Sequence, residues 1–101
     1  MLIPLSTILT SYRPTDMLIA GGSASKDPAA LWREVFASIE RNHVACDPDY
    51  WARFIASLAR GQREPIRLLN RFVVNGHHRV WGAWLLGESH IRATALTCPT
   101  P

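Results

Sequence analysis

The chain has 101 residues, 48% of them hydrophobic and 19% charged, with a formal net charge of +3. That length suits one small domain, residues 1–101, with a modest core, and excludes a full Rossmann domain, a TIM barrel or a kinase. The composition excludes a disordered chain. The charge permits contact with phosphate but is too slight for a histone-like polycation. Lys26 is the only lysine, and arginine is the better residue for forked contacts with phosphate or carboxylate. An arginine-favouring base composition explains the same bias without a ligand. Cys46 and Cys98 do not form a disulfide scaffold, and residues 1–12 lack the basic start and small-residue cleavage site of a secretory signal. The longest strongly apolar run, Val80 to Gly87, is too short to cross a bilayer. A reduced, cytoplasmic protein with no membrane partner is the simplest expectation.

In chain order, residues 2–9 have β-branched content but carry Pro4, which removes a ladder donor. They read as an edge strand, or as a short strand after Pro4. Ser11 to Thr15 reads as a turn or extended loop, because Arg13 precedes a proline. Gly21 to Ser25 reads as a flexible connection. Asp27-Pro28 opens a helix, with Asp27 as N-cap and Pro28 in the first helical position. Leu31, Val35, Phe36 and Ile39 recur at helical spacing, Trp32 borders that face, and the helix is expected to end near Asn42. Asp47-Pro48 repeats the start signal. Tyr50, Trp51, Phe54, Ile55 and Leu58 form a second stripe, stopped by Gly61.

After Gly61 the texture changes. Ile66–Leu69 and Arg71–Val74 are strand candidates separated by Asn70. Asn75-Gly76 makes a turn, and a third helix runs from His77 or His78 to Leu86, stopping at Gly87. Its body is apolar nearly all round, which predicts deep burial. Gly82 then reads as a close approach to a neighbouring strand. Ile91, Ala93 and Ala95, extending to Thr97, alternate with polar residues as a last strand. Residues 97–101 cannot continue a helix. The expected order is strand, helix, helix, strand, strand, helix, strand: a small α/β or α+β domain with a mixed sheet.

The Asn75–Arg79 turn carries the most chemistry. A glycine between strand and helix allows a sharp bend. The helix start presents backbone N–H groups and the positive end of a dipole, where anions bind. His77, His78 and Arg79 add hydrogen-bonding and positive groups within one turn. The same residues also suit an ordinary capped helix start, with Asn75 as the cap and His78 and Arg79 satisfying local carbonyls or carboxylates.

These motifs resemble the ParB/sulfiredoxin-like superfamily. Its members share a Gly-x-x-x-Pro-Ile element leading into a strand, here Gly61-Gln62-Arg63-Glu64-Pro65-Ile66. They also share a strand ending in an Asp/Asn-Gly-x-His/Arg-Arg turn that opens a helix, here Asn75-Gly76-His77-His78-Arg79. The resemblance covers about the C-terminal third and, more weakly, residues 2–15, where Tyr12-Arg13-Pro14 stands at the family's arginine-bearing loop. It implies a phosphate or nucleotide site at Asn75, Gly76, His77, His78 and Arg79, with Arg13 contributing. It implies a helical insertion at about 27–60, and a nucleoside triphosphate ligand, ATP or CTP, with Mg. Partitioning ParB proteins have Gly-Glu-Arg-Arg at the turn, so only Gly76 and Arg79 match them. Sulfiredoxins have Gly-Cys-His-Arg, and His77 stands where their reactive cysteine would be. The resemblance therefore argues against sulfiredoxin chemistry. The Gly-His-His-Arg form looks most like stand-alone ParB-like "nuclease" domains of phages and mobile elements, which leaves room for a nucleotide hydrolase or nuclease.

Other constellations have two readings each. Arg60, Arg63, Arg67, Arg71 and Arg79 fall within twenty residues against one acid, Glu64. They are candidates for a nucleic-acid stripe, with Arg67 and Arg71 sharing a face if the strand is continuous. Charged edge protection explains them too. Glu64 and His78 are the candidate catalytic groups, while a salt bridge from Glu64 to Arg79 or Arg63 is the competing role. Asp47 and Asp49 read better as a helix start than as a metal pair, and His43 with Cys46 lacks the paired spacing of a zinc site. No metal site is expected. Trp51 and Trp84 read as core. The leading expectation is nucleotide or DNA phosphate binding at the turn. The rival is a non-catalytic accessory or inhibitor protein that binds a protein partner through the helical insertion and its acids Asp27, Glu34, Glu40 and Asp47.

Overall fold

The computed structural model describes residues 1–15, 27–61 and 64–96. The expected Gly21–Ser25 connection, Arg63 and the tail from Thr97 lie outside them. The elements in order are β1 (Leu2–Pro4), α1 (Leu5–Ser11), β2 (Arg13–Pro14), α2 (Pro28–Ile39), a π-helical turn (Glu40–Val44), α3 (Pro48–Ala59), β3 (Ile66–Leu69), β4 (Phe72–Asn75), α4 (His77–Leu85) and β5 (His90–Ala95). The strands form one mixed five-stranded sheet in the order β1-β5-β3-β4-β2. The chain is thus a small α+β domain. No helix among the described residues is long and apolar enough to cross a membrane.

The N-terminal segment departs from its expected strand. Only Leu2–Pro4 is extended, and a helix begins directly after Pro4, not a strand. Leu5 and Ile8 are buried and Leu9 is partly so. That i, i+3, i+4 set is a helical stripe hidden within a short β-branched run. Pro4, in the N-cap position, costs the helix no hydrogen bond.

The helical segment from 28 to 59 follows its start signals. Asp27 Oδ1 accepts from the Ala30 N–H at 2.8 Å, and Asp47 Oδ1 from the Tyr50 N–H at 3.3 Å. Each such cap stabilises a helix by about 1 kcal/mol. These two acids are therefore helix caps, and both remain exposed. Asp49 lies in the first turn of α3, where a helix start favours negative charge. Trp32 does not merely border the buried face: it is 1% exposed, and its indole N–H donates to the Tyr12 carbonyl at 2.8 Å. Trp32, Val35, Phe36, Ile39 and Trp51 share one core with Ile66, Leu68 and Val73 of the sheet. This helical segment is integral to the domain rather than appended to it.

Helix α4 differs from the deeply buried rod expected. Val80, Trp81, Gly82 and Ala83 are buried, but Trp84 and Leu85 are about half exposed, at 47% and 46%. Trp84 is not core: one ring face is covered by Phe36, with centroids 4.9 Å apart, and nothing described encloses the other side as the core does. Gly82 does mark a close approach, but to helix α3 rather than a strand. A Cβ there would run into Leu58 Cδ1.

Strands β3 and β4 are antiparallel neighbours, not one continuous strand. Asn70 takes φ +55°, a left-handed conformation asparagine tolerates, and the chain folds back through Asn70-Arg71. Arg71 thus sits in the hairpin turn and does not align with Arg67 along a strand. Ile66, Leu68, Val73, Ile91 and Ala93 point into the helix-covered core. Their alternating neighbours face outward.

Candidate phosphate-binding turn

Asn75 ends β4 and Gly76 is the N-cap of α4, at φ +102° and ψ 22°. Asn75 does not cap the helix, because no side-chain cap bond is made. Any other residue at 76 would be strained by φ alone. It would also be crowded: a Cβ would lie 2.6 Å from Ile66 Cγ2 and 3.0 Å from Arg79 Nη1. The glycine lets β4 pass tightly over β3 and leaves the Arg79 guanidinium folded back against bare backbone. The Arg79 and Val80 N–H groups both donate to the Gly76 carbonyl, at 2.9 and 3.1 Å. The Arg79 amide is therefore spent inside the helix rather than presented outward.

The Arg79 side chain is 24% exposed. Its Nη2 pairs with Glu64 Oε2 at 3.3 Å, and its Nη1 donates to the Pro65 carbonyl at 3.3 Å. The Glu64 side chain is 84% exposed, so the pair is worth only about 0.2–1 kcal/mol. Glu64 thus takes the ion-pair role in this structure.

The two histidines diverge. His77 Nε2 accepts from the Thr15 backbone N–H at 3.0 Å and lies 3.5 Å from Thr15 Oγ1, with its ring against Trp32 at 5.8 Å. It secures the end of β2 to α4, and that bond requires a lone pair on Nε2. His78 is exposed, with its ring edge-on to Trp51 at 4.9 Å and to His43 at 5.3 Å. The π-helical turn carries His43, which sequence reasoning left aside except as a weak zinc candidate.

Two open grooves meet at the turn. One, of about 480 Å³, is lined by His43, Phe54, Gly76, His77, His78 and Arg79 with Val74 and Asn75. The other, of about 570 Å³, is lined by Glu64, Pro65, Arg67, Thr94 and Leu96 with Asn75 and Arg79. Asn75 and Arg79 belong to both. Arg67 joins the site. Arg60 is the C-cap residue of α3 and Arg71 sits in the hairpin turn, so Arg60, Arg67 and Arg71 do not form one stripe along a strand. Arg13 pairs with Phe72, three residues back along β4 from the turn. Among the described residues, no group of three or more His, Cys, Asp or Glu could hold a metal ion. The chain matches no protein-family model, no curated protein and no solved structure.

Proposed function

We propose that the domain binds a nucleotide or nucleic-acid phosphate at the Asn75–Arg79 turn, within a ParB/sulfiredoxin-like fold. The observation that carries this is the Gly76–Arg79 contact: a glycine enforced by φ and by Ile66 keeps the guanidinium beside open backbone, facing two grooves. A charge-assisted bond from Arg79 to phosphate contributes about 1.5–3 kcal/mol. The exposed Glu64 pair contributes less. A phosphate therefore competes with the Glu64 carboxylate for the Arg79 guanidinium. His78 lines the groove beside Arg79 and supplies a second donor. His77 serves the site indirectly, by fixing α4 to Thr15. Glu64 and His78 are the groups to which weak phosphoanhydride or phosphodiester hydrolysis is assigned. A Mg ion accompanying ATP or CTP would draw on Glu64 and the ligand's own phosphates, since Mg is commonly held by one or two carboxylates plus phosphate. The test is titration of folded Arg79→Ala with CTP, ATP and short DNA. Affinity should fall about ten- to a hundredfold. Wild-type affinity would make the turn purely structural.

The rival reading keeps one specific observation. Trp84, Phe36, Trp32 and Leu9, with Ala29 and Arg33, line a shallow apolar groove of about 250 Å³ on the helical layer. A half-exposed tryptophan is a common anchor for a protein partner. If none of the anionic ligands binds, this groove is the better functional surface.

A further inference from the structure

Among the described residues, the sheet face turned away from the helices carries its own chemistry. Strand register assigns its members. Thr94, Arg67 and Asn75 are lateral partners across β5, β3 and β4. Strands lie about 4.8 Å apart, so this polar row spans roughly 10 Å. Next to it Leu69 pairs with Phe72, and Phe72 with Arg13. Arg92 pairs with Leu2 on the far side. Phe72 is 41% exposed. No strand of the sheet contains an aspartate or glutamate. Arg67 and Arg92 are exposed on the adjacent strands β3 and β5, while the half-buried Arg13 stands on the edge strand beyond β4. The 570 Å³ groove lies along this face and ends at Arg79, with Glu64, already paired to Arg79, at its rim.

We propose that this outer face is a platform for single-stranded nucleic acid, with Phe72 stacking a base and Arg67 and Arg92 contacting phosphates. The charge selects a polyanion. The exposed aromatic on a flat sheet selects unpaired bases, because a duplex keeps its base faces stacked away from side chains. The inference deepens the reading of the turn and rests on it in one respect: Arg79, at the groove's end, takes one phosphate of the strand.

The experiment is fluorescence anisotropy with labelled oligothymidine of about 12 nucleotides, a duplex of equal length, and CTP measured separately. The full chain is compared with Phe72→Leu, Arg67→Ala and Arg79→Ala, with circular dichroism as the folding control. Single strand should bind more tightly than duplex. Phe72→Leu should weaken it about fivefold or more. Arg67→Ala should flatten the slope of log affinity against log salt by about 0.7. Equal binding of duplex, indifference to both face variants, or no oligonucleotide binding overturns the platform. If CTP binding depends on Arg79 while the face variants change nothing, the turn stands and the platform falls. If the face variants weaken oligothymidine while Arg79→Ala changes neither probe, the platform stands and the turn falls.

Discussion

The two ends of α4 present opposite surfaces. At its start, Gly76, His78 and Arg79 line open grooves, and specific contacts hold the turn, among them glycine against Ile66, His77 to Thr15 and Arg79 to Glu64. At its end, Trp84 and Leu85 are half exposed beside Phe36. One nine-residue helix thus separates the proposed anion site from an apolar surface. The difference shows how a helix's polarity is used: dipole and arginine at the N-terminus attract charge, while the C-terminal turn offers only area.

The comparison breaks most sharply at Gly76. Gly76→Val should cost about 1–3 kcal/mol in backbone strain and about 1–3 more in overpacking against Ile66. Thermal melting should fall by roughly 10 °C or more. An unchanged melting temperature would mean that the turn tolerates a side chain.

His77→Ala and His78→Ala divide support from contact. The first removes one of the two acceptors of the Thr15 N–H, the Val73 carbonyl at 3.3 Å being the other, and should cost about 0.5–1.5 kcal/mol of stability, read by chemical denaturation, with anion affinity nearly kept. The second should preserve stability and weaken anion binding, by less than Arg79→Ala. The reverse pattern would interchange the two roles.

Glu64→Gln removes the carboxylate that competes for Arg79. With no Mg present, affinity for nucleotide or DNA should rise by a few-fold, within the worth of an exposed pair, about 0.2–1 kcal/mol. A loss of affinity would mean that Glu64 holds Arg79 in its binding pose. The smallest effect is expected for Trp84→Ala on anion affinity, which should stay within error. A drop would join the two ends of the helix into one site.

Much of this was legible in the sequence where a signal is local. Asp27-Pro28 and Asp47-Pro48 name their helix starts because capping and fixed φ act within three residues. Asn75-Gly76 names its turn for the same reason. Leu5 to Leu9 misled because a seven-residue helix offers barely two turns of periodicity, and β-branched Thr7 and Ile8 suit a strand equally. Trp84 misled because burial depends on what stands opposite, and composition carries no information on where a neighbouring layer ends. The outer sheet face needed register: Arg67 and Arg92 are far apart in sequence and come onto neighbouring strands, with Phe72 one strand further on, only through the order of the strands.

The central claim is that phosphate binds at the Gly76 turn. Backbone amide shifts in nitrogen–proton correlation spectra, followed as CTP or ATP is added, test it residue by residue. Saturable shifts should concentrate at Gly76, His77, His78 and Arg79 and vanish in Arg79→Ala. No shifts with either nucleotide, or saturable shifts confined to Trp84, Leu85 and Phe36, would contradict it.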